Sequence, residues 1–206
     1  VSILGKDPRR EPLAVKHQVG YLPDAVGFYD NLSGRENLAY TAQLAGLSDR
    51  EARERIDAAL ARVRLTDVAD RRVATYSRGM RQRLGLAELL MRDCRILILD
   101  EPTSGLDPQS TEELLGFISE FAAEGRTILV SSHLLDVVQS ICTRVALFNA
   151  GRIGFVGTVE DLARRVGNGA VQIDVAATGV DLTGARLEGI ETVETVADGR
   201  WKVVAA

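Results

Sequence analysis

The chain has 206 residues, of which 46% are hydrophobic and 26% charged. That is an ordinary soluble composition, and the length allows one domain or one and a fraction, with roughly 70% of the unfolded surface buried. A net charge of −4 gives no hint of a nucleic-acid surface, no apolar run approaches the ~18 residues that span a bilayer, and the first residues do not read as a signal peptide. Any membrane role therefore needs a separate partner. Cys94 and Cys142 stand alone in apolar surroundings and read as buried free thiols.

In chain order, "HQVGYLP" (17–23) reads as a strand closed by Pro23, with His17 at the surface. Ser33 with Glu36 fits a capping box, and Gly46 fits the end of that helix. Ser48 with Glu51 repeats the device, and Ala52, Ile56, Ala59, Leu60 and Val63 then fall on one helical face. Residues 33–75 are thus a mainly helical block. "YSRGMRQRLGLAELLMRD" (76–93) is a further helix with Ser77 as its N-cap, followed by a strand at 95–100. Asp107 and Pro108 open the next helix and Gly125 ends it. A strand at 126–132, a short helix at 133–142 and a hairpin at 144–157 turning at "NAG" complete the series. This alternation, with continuous apolar strands, predicts an α/β fold around a buried, mostly parallel sheet. After 158 come a short helix in "TVEDLARRV" and exposed strands in "AVQIDVAATG" (170–179) and "TVETVADGRWKVVA" (192–205). The expected organisation is a domain over 1–158 and a small, incomplete α+β appendage over 159–206.

The strand at 95–100 carries Ile96 to Leu99 straight into Asp100 and Glu101. An aliphatic strand ending on paired acids is the Walker-B pattern of P-loop nucleotide hydrolases. Asp100 would help hold Mg²⁺, which prefers hard oxygen ligands, and Glu101 would orient the attacking water or take its proton. Apolar strands ending in an acid are common, and an acidic turn capping the next helix is the plain alternative.

Four neighbours narrow the choice: "GYLPD" (20–24), "SRGMRQR" (77–83), "SGLD" (104–107) and "SSH" (131–133), in that order around the acid pair. The set resembles the ATP-binding-cassette (ABC) ATPases over most of residues 1–160. Its wording is most similar to the ATPase subunits of bacterial drug- and polysaccharide-type exporters. The resemblance implies a P-loop-type sheet with a helical signature subdomain at about 33–92, and ATP with Mg²⁺ as ligands. It implies that Ser77, Arg78, Gly79 and Met80, at a helix N-terminus that favours anions, meet the γ-phosphate held by a second ATPase subunit, most simply an identical one. It makes Asp107 and Asp24 nucleotide contacts, Asp24 a sensor of the metal as well, and His133 the switch histidine beside Glu101. It further implies an integral membrane permease as partner and a cytoplasmic location on the inner face of the membrane. Two positions depart from the usual pattern: Arg78 stands where the consensus has Gly, and Asp24 where it has Gln or Glu. Phe28 and Tyr29 either face a partner or pack beneath the helical block.

One expected element is missing. The phosphate cradle G-x-x-x-x-G-K-[ST] does not occur: the Gly-Lys pair at Gly5-Lys6 is followed by Asp7, and the other lysines, Lys16 and Lys202, lack the context. The expectation is an N-terminally truncated ABC ATP-binding subunit that powers export, with these 206 residues inactive by themselves. Two alternatives stay open: a soluble ABC-type ATPase of DNA repair or translation, and a non-enzymatic scaffold without a P-loop.

Overall fold

The computed structural model describes residues 1–166, 171–176, 190–197 and 200–205. The chain divides into two compact units, Val1–Ile141 and Cys142–Ala206. In the first, both capping boxes form. Ser33 Oγ accepts from the Glu36 N–H at 3.1 Å while Glu36 Oε2 accepts from the Ser33 N–H at 2.7 Å, and Ser48 with Glu51 makes the same exchange. They start α2 (Gly34–Leu44) and α3 (Asp49–Arg62), after a five-residue α1 (Pro12–Lys16) too short to leave a periodic signal. The face of α3 read from the sequence is the buried one, with Ala52, Ile56, Ala59 and Leu60 in the core and Val63 closing the helix. α4 (Arg78–Met91) packs on it and buries Leu84, Leu86, Ala87 and Leu89.

Three parallel strands lie beside these helices in the order β1 (Val19–Leu22), β2 (Ile96–Asp100), β3 (Thr127–Ser131). α5 (Pro108–Ala123) and α6 (Leu135–Ile141) follow β2 and β3. The sheet differs from the expected fully buried one. Leu22, Leu97 and Leu99 are in the core with α4 and α5, but Tyr21 is 55% and Leu129 62% exposed. The reason is the period of two along a strand: Tyr21, Ile98 and Leu129 share one row of the register, and that row points away from the packed helices.

Two glycines let β1 seat on α4. A Cβ at Gly20 would stand 2.7 Å from Leu89 Cδ2, and one at Gly85 would overlap Leu22 Cδ1. Gly85→Ala gains about 1 kcal/mol of helix propensity but overpacks a core contact, which costs about 1–3 kcal/mol. Because Leu22 is fully buried and has nowhere to go, net destabilisation is expected, read as a lower urea midpoint. Glu88, on the same helix, has its carboxyl pushed up by burial, with Arg92 pulling the other way. A folded-state pKa above the unfolded one means a penalty at neutral pH that is relieved as pH falls. Glu88→Gln is therefore expected to raise the melting temperature at pH 7, with the gain shrinking toward about pH 4.

In the second unit, β4 (Val145–Asn149) and β5 (Arg152–Gly157) form the expected hairpin. Its two-residue turn, Ala150–Gly151, has φ of 48° and 73°, as the right-handed twist of a hairpin favours. Among the described residues its two strands pair with each other. α7 (Val159–Val166) follows, then an antiparallel sheet ordered β6 (Val171–Ala176), β8 (Arg200–Ala205), β7 (Ile190–Ala197). The Gly-rich turns read at 177–179 and 198–199 lie outside the described residues. Cys94 is buried and Cys142 half-buried, both as free thiols, and His17 is exposed. Among the described residues no helix is long and apolar enough to cross a membrane.

Candidate functional site

β2 is the middle strand, so whatever stands at its C-terminal end is flanked by β1 and β3. Asp100 pairs with Ser131 in the register and shares the open face with Tyr21. Ser131 Oγ donates to Asp100 Oδ1 at 2.6 Å, and Tyr21 Oη donates to Asp100 Oδ2 at 3.0 Å. The Ser131 hydroxyl, and after it that of Tyr21, holds the Asp100 carboxyl below its usual range. Hydrogen bonds to the charged form favour it.

The chain bends sharply as it leaves β2. Glu101 takes φ 44°, a left-handed conformation that costs a non-glycine residue roughly 1–3 kcal/mol. Its N–H is shared between the carbonyl and the hydroxyl of Ser131, each at 3.1 Å. The bend brings Glu101 Oε1 to 2.9 Å from His133 Nδ1. Among the described residues Glu101 Oε2 is buried and has no hydrogen-bond partner. His133 itself is 70% exposed. Asp100, Glu101 and His133 thus lie together at the ends of β2 and β3.

The signature residues gather elsewhere. Ser77 caps α4, its hydroxyl accepting from the Met80 N–H at 3.2 Å, and the Met80 side chain packs against the core. Gly79 has a partner in its own chain: a Cβ there would stand 3.0 Å from Ser110 Oγ. Its missing side chain makes room for the first turn of α5, whatever else may approach it. Asp107 caps α5, accepting from the Ser110 N–H at 2.9 Å and the Ser110 hydroxyl at 2.6 Å. These two bonds, the hydroxyl's first, lower its pKa.

Asp24 lies with the signature helix and not with the acid pair. Its Oδ1 pairs with Arg78 Nη2 at 2.7 Å, and its carbonyl accepts from Gln82 Nε2 at 3.0 Å. Among the described residues it shares no hydrogen bond or ion pair with Asp100 or Glu101. The two sequence departures therefore answer each other: the shorter acid meets the unexpected arginine, whose guanidinium also lies against Gly105. Both partners are about half exposed, so the pair orients these loops and adds little stability. Phe28 and Tyr29 split the alternatives. Phe28 packs under the helices, while Tyr29 is exposed and meets Tyr40 edge-on at 5.4 Å.

Among the described residues no three His, Cys, Asp or Glu side chains are grouped to hold an ion by themselves. That suits Mg²⁺ brought in with a nucleotide, which uses one or two carboxylates and completes its shell with phosphates and water; Asp100 is the carboxylate to hand. Tyr21, Gln82 and Ser131 lie inside the quoted motifs but were assigned no role there, because their partners Asp100 and Asp24 are distant in sequence.

The family model described as "ABC transporter" matches residues 1–104, half of the chain. The chain belongs to the ABC transporter family. The matched stretch contains Asp24, Ser77 to Met80, Asp100 and Glu101 and stops short of Asp107 and His133. The chain is 36% identical over 163 residues to the ABC transporter ATP-binding protein NatA of Bacillus subtilis (strain 168), covering 79% of this chain and 66% of NatA. It is 33% identical over 179 residues to the daunorubicin resistance ATP-binding protein DrrA3 of Streptomyces coeruleorubidus, covering 87% and 57%. A solved ATP binding subunit of an ABC transporter superposes with a TM-score of 0.69 at 31% identity, covering 81% of this chain and 69% of that one. CbiO1 of Clostridium perfringens, part of the ABC transporter complex cbiONQ, gives 0.67 at 27%, covering 78% and 67%. The ABC ATPase fold is thereby established for the parallel-sheet unit, and the chain spans between half and two thirds of the length of the bacterial curated relatives it matches.

Proposed function

We propose that this chain is part of the ATP-hydrolysing subunit of an ABC exporter. The observation that carries the reading is Glu101: one oxygen lies 2.9 Å from His133 Nδ1 and the other, among the described residues, is buried with no partner. A buried carboxylate oxygen left unpaired is costly, and such groups concentrate where they have chemical work to do. Glu101 is the residue that accepts a proton from the attacking water, and His133 beside it orients the carboxylate. Asp100, preset by Ser131 and Tyr21, is the residue that holds Mg²⁺. When bound with ATP, that ion neutralises charge on the phosphates. Ser77, Arg78, Gly79 and Met80, together with Asp107, offer the surface that meets the nucleotide of a second subunit, and Asp24 reports on the site through Arg78.

The partner is an integral membrane permease, and the protein works on the cytoplasmic face of the membrane. Support comes from relatives named for drug resistance and from a structural relative that is part of a transporter complex. The test is purification of the tagged full-length protein from detergent-solubilised membranes. Recovery with an integral membrane protein, and ATP turnover by that complex, is the expected result. A protein recovered free of any membrane partner would contradict the exporter reading.

A further inference from the structure

Ser131 occupies an unusual place in the hydrogen-bond pattern. Its hydroxyl has a single proton, which goes to Asp100 Oδ1 at 2.6 Å, and the same oxygen accepts the Glu101 N–H at 3.1 Å. Its carbonyl accepts that N–H as well. One residue of β3 therefore touches both acids of the pair, each in a different way: it fixes the Asp100 side chain and it fixes the Glu101 backbone. Tyr21 completes the cradle from β1 by donating to Asp100 Oδ2 at 3.0 Å. The middle-strand carboxylate is thus gripped from both neighbouring strands, one hydroxyl to each oxygen.

The arrangement follows from the register. Asp100 and Ser131 are direct neighbours across parallel strands, and Tyr21 sits one row back on the same face. Only a side chain as long as tyrosine reaches forward from that row to the strand end. A shorter or apolar residue at 21 would satisfy the packing of an exposed position equally well, so packing alone does not require the hydroxyl. At residue 131 the hydroxyl also compensates the left-handed turn at Glu101, which strands of L-residues avoid.

From this geometry we infer that Ser131 and Tyr21 are positioning residues for the acid pair: they hold the Asp100 carboxylate in place for a divalent cation, and Ser131 also sets the bend that presents Glu101. Groups that hydrogen-bond a metal ligand typically change metal affinity by about 10–100-fold when removed. The inference rests on the reading of Asp100 as the metal-holding acid, and its test separates the two.

The experiment measures Mn²⁺ affinity by electron paramagnetic resonance in the full-length protein loaded with ADP, for wild type, Asp100→Asn, Ser131→Ala, Ser131→Thr and Tyr21→Phe. Hydrogen exchange of the Glu101 amide is followed in the same proteins. Asp100→Asn is expected to weaken Mn²⁺, which tests the underlying reading. Ser131→Ala is expected to weaken it about 10-fold and to speed exchange of the Glu101 amide. Ser131→Thr keeps the hydroxyl and restores both. Tyr21→Phe is expected to weaken Mn²⁺ by about threefold, the value of one exposed hydrogen bond, with the Glu101 amide unchanged because Tyr21 does not touch it. If Asp100→Asn leaves Mn²⁺ affinity intact, the metal-holding reading falls and the inference with it. If Asp100→Asn weakens Mn²⁺ but Ser131→Ala and Tyr21→Phe do not, the inference alone is overturned. Failure of Ser131→Thr to restore what Ser131→Ala loses would also overturn it, by showing that shape and not the hydroxyl matters.

Discussion

Replacing Glu101 by Gln is expected to cut ATP turnover by the full-length protein about 10²–10⁴-fold, the span that a positioned general base supplies. Gln keeps the size of the side chain and one acceptor oxygen, so the close contact with His133 Nδ1 can survive. What disappears is the capacity of the second oxygen to take a proton. Among the described residues that oxygen is the one buried without a partner, and the variant puts an uncharged but unpaired amide N–H in its place. The folded state should change little, because an amide is cheaper to bury than a carboxylate while its unpaired donor still costs. Nucleotide affinity should change little, since the loss lies in the reacting step. Steady-state turnover, a nucleotide-binding titration and a thermal melt on one preparation check all three. A large fall in turnover accompanied by an equal fall in binding would point to a structural role for Glu101.

His133→Ala is expected to cost about 10²–10³-fold, the range for loss of one preorganised donor. His133 is 70% exposed, so little packing is lost and stability should hold. The decisive feature is how the two changes combine. If His133 acts by orienting Glu101, then His133→Ala in the Glu101→Gln background has nothing left to orient, and the double variant should be no worse than the more damaging single one. Independent roles would instead multiply. The geometry favours the first outcome, because His133 Nδ1 lies 2.9 Å from Glu101 Oε1.

The sequence was most legible where function or folding is local. Both capping boxes, the buried face of α3, the cap at Asp107 and the Ala150–Gly151 turn depend on residues within a few positions of one another, and each could be read directly. The acid pair and His133 were legible through the resemblance their flanking motifs carry, and the pairing of β2 with β3 puts the two strand ends side by side. What could not be read depended on register and on which face is covered. Ile96 to Leu99 look equally apolar in sequence, yet Leu97 and Leu99 are buried and Ile98 belongs to the open row. The links from Tyr21 to Asp100 and from Arg78 to Asp24 cross 79 and 54 residues, and nothing local marks either. Gly79 shows the limit most plainly. Its place in the signature suggests a backbone bared for phosphate, while in the fold the same absent side chain accommodates Ser110.

The account stands on the strand ends of β2 and β3 being the place where a nucleotide is cut. Its most direct test is a structure of the full-length Glu101→Gln variant with ATP and Mg²⁺. The terminal phosphate should lie within hydrogen-bond reach of the His133 imidazole, with a water between it and residue 101 and the metal on the side of Asp100. A terminal phosphate bound away from these three side chains would contradict the account.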